Sequence, residues 1–306
     1  MSNQTKITVF GAANVDITGF PDNPLVYNDA NIGSMKTTAG GVGRNIAENL
    51  KHLDFEVELI SIFGDDPLSD FLIKDCQKKD LTIQRSLFLK NRAASTFLAI
   101  LDHQNDLAVG ISAMQLYDEI DANLFVANLP EKIDSEYIVL ETNLSEEILQ
   151  QIVHKYSGKK FVLDTVSGKK ALRATSVLKH LHILKTNLLE AETMSGIKVQ
   201  SDNDLKNLVT YFLAKGVTKV FITLGKKGVI YGTHNLIKKQ SPVKAKIVNT
   251  IGAGDAFVAG LIYADAQQKS LDEMATYGMR MAALTVSHSE AVNPDIRTEM
   301  LKNHHE

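Results

Sequence analysis

The chain has 306 residues, of which 44% are hydrophobic and 23% charged, a composition typical of a globular protein. Its net charge of -3 disfavours a nucleic-acid binder, since such proteins usually carry a basic stripe. The single cysteine, Cys76, excludes an intrachain disulfide and a cysteine-rich zinc site. No stretch reaches the roughly 20 apolar residues of a membrane helix, and the first residues lack a signal-peptide core. The sequence therefore predicts a cytoplasmic protein that binds neither nucleic acid nor membrane.

Apolar, β-branched runs alternate with amphipathic segments along most of the chain. The predicted strands are KITVFGAA, VELISIFG, EYIVLET, KKFVLDT, LHILKTN, KVFITLG and GVIYGT. The predicted helices cover residues 44–53, 67–79, 145–156, 202–215, 253–267, 271–287 and 295–302. Strands that alternate with helices predict an α/β fold with a doubly wound, mostly parallel sheet that is covered by helices on both faces.

Two segments break this alternation. Residues 15–38 contain extended pieces without a helix, and residues 94–112 predict a hairpin that turns around residues 102–106. These extra strands do not fit easily into a doubly wound sheet, so they predict a small side sheet or lid. No linker separates them from the rest, and we expect residues 1–306 to form a single domain with lid segments at approximately 15–38 and 94–112.

The segment VNTIGAGDAFVAGLIYA, residues 248–264, carries the most chemical information. Gly252, Ala253 and Gly254 lead into an apolar helix, whose first N–H groups and positive dipole end suit a phosphate. Together they predict an anion hole. Asp255, in the first helical turn, can accept a proton from a hydroxyl group or merely stabilise the helix start. The motif alone leaves these two roles equally open.

A second glycine-rich segment, TTAGGVGRNIAENL, also opens a helix. Gly40, Gly41 and Gly43 allow a ligand to approach the backbone closely. Asn45 offers an amide to a hydroxyl group, and Arg44 offers a positive charge to developing negative charge. A tight turn between a strand and a helix explains the glycines equally well.

Two further segments have weaker signals. In VFITLGKKGVIY, Thr223, Gly225 and Gly228 form either a phosphate cradle or a plain hairpin turn. In KTNLLEAETMSG, Asn187 and Glu190 follow a strand. Glu190 is a candidate to hold magnesium through water, since magnesium keeps several waters and few carboxylates, but it is equally a helix-start acid.

Other phosphate-binding and dinucleotide-binding motifs are missing. The sequence has no G-x-x-x-x-G-K-[ST], which excludes a P-loop. The pattern G-x-G-x-x-G fails at both glycine loops, because its last position is Ile46 in one and Phe257 in the other. A nicotinamide-dependent reductase is therefore poorly supported.

The four segments, in this order, resemble the ribokinase-like (PfkB) carbohydrate kinase family. The likeness extends from FGAANVDITGF to the last helices, and AGGVGRNIAENL and NTIGAGDAFVAGL are similar to the two family signatures. It implies a ribokinase-like fold and an enzyme that uses ATP and Mg²⁺ to phosphorylate an alcohol. Among the members, GAANVDITGF, GGVGRNIAENL, ETNLSEE and LKTNLLEAETMSG are most similar to pseudouridine kinases. The implied substrate is the 5′-hydroxyl of a nucleoside such as pseudouridine, with ribose, fructose or adenosine as alternatives, or a non-catalytic binding protein.

The resemblance also implies a role for each candidate residue. Asp255 would be the base on the 5′-hydroxyl, and Gly252, Ala253 and Gly254 would hold the transferred phosphoryl group. Asn14, Asp16, Gly41 and Asn45 would bind the sugar hydroxyls. Asn187, Thr223, Gly225 and Gly228 would bind ATP, with adenine near residues 283–287, and Glu190 would hold magnesium. The lid would close over the sugar and pair with a second subunit, which implies a homodimer.

One position departs from the family pattern. Many members have aspartate where this chain has Asn249, near the family's monovalent-cation site. Residues 287–293 are the other candidate ligands, and the neutral side chain leaves activation by K⁺ open. Asn143 and Asp164 are candidates to read the base, and the sequence does not rank them.

Overall fold

The computed structural model describes residues 4–104 and 106–302, so Asn105 in the predicted turn lies outside the described residues. The strands, in chain order, are β1 (Lys6–Phe10), β2 (Asn14–Pro21), β3 (Gly33–Gly40), β4 (Glu56–Ile60), β5 (Ile62–Phe63), β6 (Leu87–Phe88), β7 (Thr96–Leu101), β8 (Leu107–Ala113), β9 (Tyr137–Glu141), β10 (Lys160–Asp164), β11 (Leu181–Asn187), β12 (Lys219–Thr223), β13 (Val229–Thr233) and β14 (Leu236–Gln240).

The helices, in chain order, are α1 (Val42–His52), α2 (Pro67–Lys78), α3 (Gln115–Asp118), α4 (Ala122–Ala127), α5 (Glu146–Lys155), α6 (Gly168–Ala171), α7 (Leu188–Ser195), α8 (Asp202–Ala214), α9 (Ala253–Ala266), α10 (Leu271–Val286) and α11 (Thr298–Lys302), with 3₁₀ helices at Leu172–His180 and Gly225–Lys227. Within residues 4–104 and 106–302, every helix is too short or too polar to cross a lipid bilayer.

The larger sheet has eight strands in the order β14-β13-β12-β11-β10-β9-β1-β4. Its neighbours from β4 to β12 pair in parallel, and β13 and β14 add an antiparallel edge. Successive residues of β9 enter different cores: Ile138 and Leu140 pack on the side of α5 and α8, whereas Val139 packs on the side of α1, α9 and α10. The predicted doubly wound, mostly parallel sheet is confirmed.

The segment VELISIFG forms two strands instead of the one that its apolar pattern predicts. Ser61 interrupts the run, because its N–H donates to the Ser86 Oγ (3.0 Å) and its hydroxyl donates to the Gly11 carbonyl (2.7 Å). The chain then leaves the large sheet, and β5 pairs with β6.

The position of β1 locates a crevice at one end of the large sheet. β1 lies between β4 and β9, so the chain changes direction across the sheet at this strand. Ligands of open α/β sheets bind outside the carboxyl ends of the strands at such a point. Here the Ala12 N–H and the Asn143 N–H donate to the two oxygens of Glu141, at 2.5 and 2.7 Å. Burial raises the pKa of Glu141 to about 7.

The smaller sheet has four strands in the order β3-β2-β7-β8, which come from the two segments that break the βα alternation. Asp16, Phe97 and Ser112 lie directly opposite one another across β2, β7 and β8 and therefore share a face. Ile17, Leu98 and Ile111 are paired in the same way on the other face. One face of this sheet is thus available to a ligand, and the other is apolar.

Helix α9 runs along the large sheet, with one end near the starts of the strands and the other near their carboxyl ends. Near its C-terminus, Asp265 accepts hydrogen bonds from Tyr137 Oη (2.6 Å) and His182 Nε2 (2.9 Å), and it forms an ion pair with Lys219. Those partners lie at the starts of β9, β11 and β12. This anchoring fixes the helix along the sheet, so that its N-terminus lies at the carboxyl ends of the strands.

Candidate active site

Two cavities adjoin at the N-terminus of α9. The first, of about 480 Å³, is lined by the predicted residues Asn14, Asp16, Gly41, Asn45, Gly252 and Asp255. The second, of about 510 Å³, is lined by the predicted residues Thr223, Gly225, Gly228, Ala253 and Gly254. Gly252 and Asp255 line the first cavity and Ala253 and Gly254 the second, so ligands in the two cavities would approach each other at this turn.

The turn itself has an N-terminus that no side chain caps. Gly252 is the N-cap of α9, with φ 79° and no side-chain hydrogen bond to the first N–H groups. In contrast, α7, α8 and α10 each begin with a capping box. A side-chain carbon at Gly252 would overlap the carbonyl oxygen of Ala291, so only glycine fits here. The Ala253 N–H makes only a long contact, 3.5 Å, to the Thr250 carbonyl, so the first donors of α9 remain available to an anion.

Asp255 is buried in the first turn of α9, yet it lines the first cavity. Its pKa is raised to about 8, chiefly by burial and also by the nearby carboxylates of Asp164 and Glu141, while Lys185 opposes this shift. The Asn45 Nδ2 donates to Asp255 Oδ2 at 2.9 Å, which favours the charged form. A carboxyl group with this balance can take up a proton near neutral pH.

The opposite wall of the first cavity comes from the smaller sheet and the first glycine loop. Asn14 Nδ2 donates to Asp16 Oδ1 at 2.6 Å, and burial raises the pKa of Asp16 to about 6. A side-chain carbon at Gly40 would overlap the Asp16 carboxylate, and one at Gly41 (φ 100°) would overlap the Ala12 carbonyl oxygen. Glycine at these two positions therefore makes room for the Asp16 carboxylate and for the backbone at Ala12.

The first cavity holds a second polar pair, of which sequence reasoning named Asn143 but missed Lys170. Lys170 Nζ donates to Asn143 Oδ1 at 2.5 Å, both residues line the cavity, and burial lowers the pKa of Lys170. Lys170 follows the carboxyl end of β10 by a turn in which Val166 has φ 56°. Asp164 supports that turn, accepting from the Val166 N–H at 2.9 Å, and lines neither cavity. The one sequence signal that could have identified Lys170 is its position shortly after the carboxyl end of a parallel strand.

The remaining lining residues of the first cavity were not among the candidate residues. They consist of Val42, Phe97, Ser112, Met114, Val166, Ser167 and Ile251. Of these, Phe97 and Ser112 belong to the predicted lid segment 94–112, and their position on one face follows from strand alternation.

The second cavity is mostly apolar. Besides the predicted glycines, it is lined by Phe257 of α9 and by Met279, Ala282, Ala283 and Val286 of α10. Lys226 and Thr250, and residues 242–245 with Ile247, complete the lining. The connector at 242–247 has neither periodicity nor a motif, and nothing in its sequence indicates a binding role.

Asn187 and Glu190 line neither cavity. They form the capping box of α7: Asn187 Oδ1 accepts from the Glu190 N–H (2.9 Å), and Glu190 Oε2 accepts from the Asn187 N–H (3.0 Å). Glu190 also accepts from the Thr165 hydroxyl at 2.5 Å. Glu190 Oε1 accepts from Asn187 Nδ2 at 2.6 Å, so protein donors occupy both carboxylate oxygens. ATP contact by Asn187 and magnesium binding by Glu190 stay predictions.

Lys185 lies next to the turn at the start of α9. A side-chain carbon at Gly254 would lie 2.6 Å from Lys185 Nζ, which forms a buried ion pair with Asp164 at 2.8 Å. Glycine at this position therefore lets a buried ammonium group approach the helix N-terminus.

Asn249 is held by its own surroundings. Its Nδ2 donates to the Ser289 carbonyl at 3.1 Å, and its Oδ1 accepts from the Ile251 N–H at 3.0 Å. The amide thus connects the start of the signature to residues 287–293, and activation by K⁺ stays a prediction.

The geometry agrees with what comparison with known proteins finds. Residues 4–298 match the model of the pfkB family carbohydrate kinases. The chain belongs to this family. It is 30% identical over 298 residues to the pseudouridine kinase of Escherichia coli K12, covering 97% of this chain and 95% of that protein. It is 29% identical over 297 residues to the ribokinase of Staphylococcus aureus, covering 92% and 93%.

Solved structures confirm the ribokinase-like fold of this pfkB kinase. Arabidopsis thaliana ribokinase, complexed with ribose and ATP, superposes with a TM-score of 0.83 at 21% identity, over 98% of both chains. A carbohydrate kinase from Agrobacterium tumefaciens gives 0.82 at 24% identity, covering 98% of this chain and 96% of the other. Members of the family transfer a phosphoryl group to a hydroxyl acceptor.

Proposed function

We propose that this pfkB kinase transfers the γ-phosphoryl group of ATP to the 5′-hydroxyl of a nucleoside, most specifically pseudouridine. The observation that carries the proposal is the first cavity, which combines Asp255 with two polar groups of different kinds. Asp16 and Asn14 offer an acceptor and an amide to sugar hydroxyls, and the Lys170–Asn143 pair offers donors to a base. A sugar without a base would leave the remaining donors of Lys170 and Asn143 without a ligand group to bind.

The reaction follows from the turn between the two cavities. The sugar hydroxyl lies beside Asp255, which takes its proton as the oxygen attacks the phosphorus in line with the leaving group. The uncapped N–H groups of Ala253 and Gly254 hold the charge that develops on the phosphoryl oxygens. Positioning and electrostatics account for most of phosphoryl-transfer catalysis, so this small set of groups suffices.

ATP would occupy the second cavity. Its adenine packs on the apolar residues of α10 near residues 283–287, and its phosphates run along Thr223, Gly225 and Gly228 toward Gly254. Magnesium, which neutralises phosphate charge, would be held by the phosphates and water, with Glu190 in contact through water. The E. coli pseudouridine kinase supports the choice of substrate by resemblance alone. Cytoplasmic location is part of this proposal.

The substrate is tested by a panel. ADP release in the presence of Mg-ATP is measured by a coupled assay with pseudouridine, uridine, adenosine, ribose and fructose. We expect pseudouridine to give the highest kcat/KM of the five. A product phosphorylated at the 5′-oxygen, identified by ³¹P–¹H NMR, is the second requirement. Preference for ribose or fructose would contradict the nucleoside assignment while leaving the kinase chemistry intact.

Lys170→Met tests the reading of the base. We expect kcat/KM for pseudouridine to fall about 10- to 100-fold, the loss of one hydrogen bond from a charged donor, whereas kcat/KM for ribose changes little. The matched control is Lys169→Met, because Lys169 is exposed, adjacent and outside both cavities. Equal losses for both substrates would show that Lys170 acts on the fold or on the sugar rather than on the base.

We also propose that the smaller sheet mediates a homodimer. Its face opposite the cavity exposes Met35, Val109 and Ile111 to solvent by 74%, 44% and 55%. Clustered apolar side chains on a sheet with free edges indicate a partner surface. A second copy would cover this face without blocking the face that carries Asp16.

Ile111→Lys tests the dimer. We expect the wild type to sediment as a dimer at micromolar concentration and Ile111→Lys as a monomer, because burying a charged group in an apolar interface is unfavourable. Leu124→Lys, which changes an exposed leucine of α4, is the control and keeps the dimer. A monomeric wild type would refute the proposal.

A further inference from the structure

Arg44, in the first turn of α1, lines neither cavity. Its guanidinium is buried between two carboxylates: Nη2 lies 2.8 Å from Glu48 Oε2 and 2.5 Å from Asp75 Oδ2, and Nε donates to Asp75 at 3.0 Å. The expectation that Arg44 answers negative charge on a substrate is therefore not met by direct contact. The two acids instead hold its planar group in one orientation.

The remaining nitrogen of Arg44 has a different partner. Nη1 donates to Asn45 Oδ1 at 3.1 Å. Arginine has donors only, so the amide oxygen of Asn45 must face Arg44 and the amide NH₂ must face the other way. On that side it donates to Asp255 Oδ2 at 2.9 Å, which leaves Oδ1 for the hydroxyl of a substrate.

We propose that Arg44 is a positioning residue for the catalytic base: it fixes the Asn45 amide in the orientation that donates to Asp255. The inference rests on the proposed role of Asp255. Glu48 and Asp75 fix the orientation of the Arg44 guanidinium, which fixes the orientation of the Asn45 amide. The amide NH₂ then keeps the Asp255 carboxylate in the charged form that can receive a proton.

The orientation matters because an amide can bind either form of a carboxyl group. Turned by 180°, Asn45 would present its oxygen to Asp255 and would stabilise the protonated form, which cannot act as a base. Burial and the neighbouring carboxylates of Asp164 and Glu141 already favour that form, and Lys185 opposes it. Asn45, which donates a hydrogen bond to Asp255, is the second residue that opposes protonation of this carboxylate.

The groups around Arg44 are also charged. Glu48 and Asp75 are its direct partners, Cys76 is nearby, and its charge acts on Asp16 across the first glycine loop. A neutral substitution would leave two carboxylates without their partner and would confuse loss of orientation with loss of charge. Arg44→Lys keeps the positive charge, but a single ammonium cannot span Asp75, Glu48 and Asn45.

The experiment compares Arg44→Lys with Lys79→Met. Lys79 Nζ also pairs with Glu48, at 2.6 Å, but it has no contact with Asn45, so its removal weakens the same cluster without freeing the amide. In Arg44→Lys we expect the acid limb of the pH profile of kcat/KM to shift to higher pH by about one unit. At low pH this shift lowers kcat/KM roughly 10-fold. Activity should recover at high pH, and Lys79→Met should keep the wild-type profile.

The carboxyl titration of Asp255 gives a readout that needs no turnover. Following ¹³C-labelled aspartate by NMR, with Asp255→Asn to assign the signal, should show the same upward shift in Arg44→Lys and none in Lys79→Met. An unshifted Asp255 titration in a folded Arg44→Lys protein overturns the inference, even if both variants lower the Tm. An inactive wild type with a shifted titration would contradict the proposed function and leave the positioning role supported.

Discussion

Asp255→Asn is expected to lower turnover by about 10²- to 10⁴-fold, the usual contribution of a general base. The asparagine has the same shape and still accepts the hydrogen bond from Asn45, but it cannot take up the hydroxyl proton. The measurement is kcat with the best substrate of the panel at saturating Mg-ATP. Turnover at the wild-type rate would refute the assigned role.

ATP binding is the control for this variant. Asp255 lines the first cavity and not the second, so the Kd for ATP should stay within a few-fold of the wild-type value. Loss of both turnover and ATP binding would indicate that the turn before α9 has collapsed, and the kinetic result would then carry no information on the base.

The same variant is expected to change how stability depends on pH. The pKa of Asp255 is about 8 in the folded protein, whereas an aspartate in an unfolded chain titrates near 4, as a rough reference value. Between these values the folded state holds a proton that the unfolded state lacks, so this group makes stability fall as pH rises. Asp255→Asn removes that slope, and denaturant unfolding at pH 5, 7 and 9 should show the variant gaining stability over the wild type with increasing pH.

Gly252→Ala should abolish most activity for a different reason, which is the loss of the anion hole. The added methyl group would overlap the Ala291 carbonyl oxygen, so the turn must move and the N–H groups of Ala253 and Gly254 must move with it. Displacing one such donor typically costs about 10²- to 10³-fold in kcat. We expect a loss of at least this size, measured as kcat at saturating ATP and nucleoside.

Gly158→Ala separates this effect from backbone strain. Gly158 has φ 89°, similar to the 79° of Gly252, but a side-chain carbon there meets no atom within 4 Å. Both variants carry the left-handed strain of a non-glycine residue, about 1–2 kcal/mol in unfolding free energy. Only Gly252→Ala should lose turnover. Similar kinetic losses in the two variants would place the cause in general destabilisation and not in the phosphate site.

The local signals of the sequence were sufficient for the elements and for the turn at the centre of the site. The apolar strands, the amphipathic helices and residues 252–255 each depend on neighbours close in the chain, so periodicity and glycine placement predict them. The interruption at Ser61 was missed, because its cause is a hydrogen bond to Ser86 in a different segment.

The residues of the candidate site also differ in whether a single sequence segment could reveal them. Asp255 and Gly252 were identified from one segment, because a glycine turn followed by a helix creates an anion site by itself. Lys170 and the connector at 242–247 were not identified, because each becomes a wall of a cavity only when distant strands place it there.

The sequence by itself determined the fold class, the family and the residues of the glycine turns, since these are encoded in short runs of backbone preference and polarity. Only the tertiary structure decided which charges meet. Asn45 and Asp255, 210 positions apart, form a hydrogen bond, and Arg44 reaches acids instead of a substrate. Electrostatic partners depend on distances in space: the packing of α1 against α9 brings Asn45 to Asp255, and Asp75 reaches Arg44 from a different helix, α2.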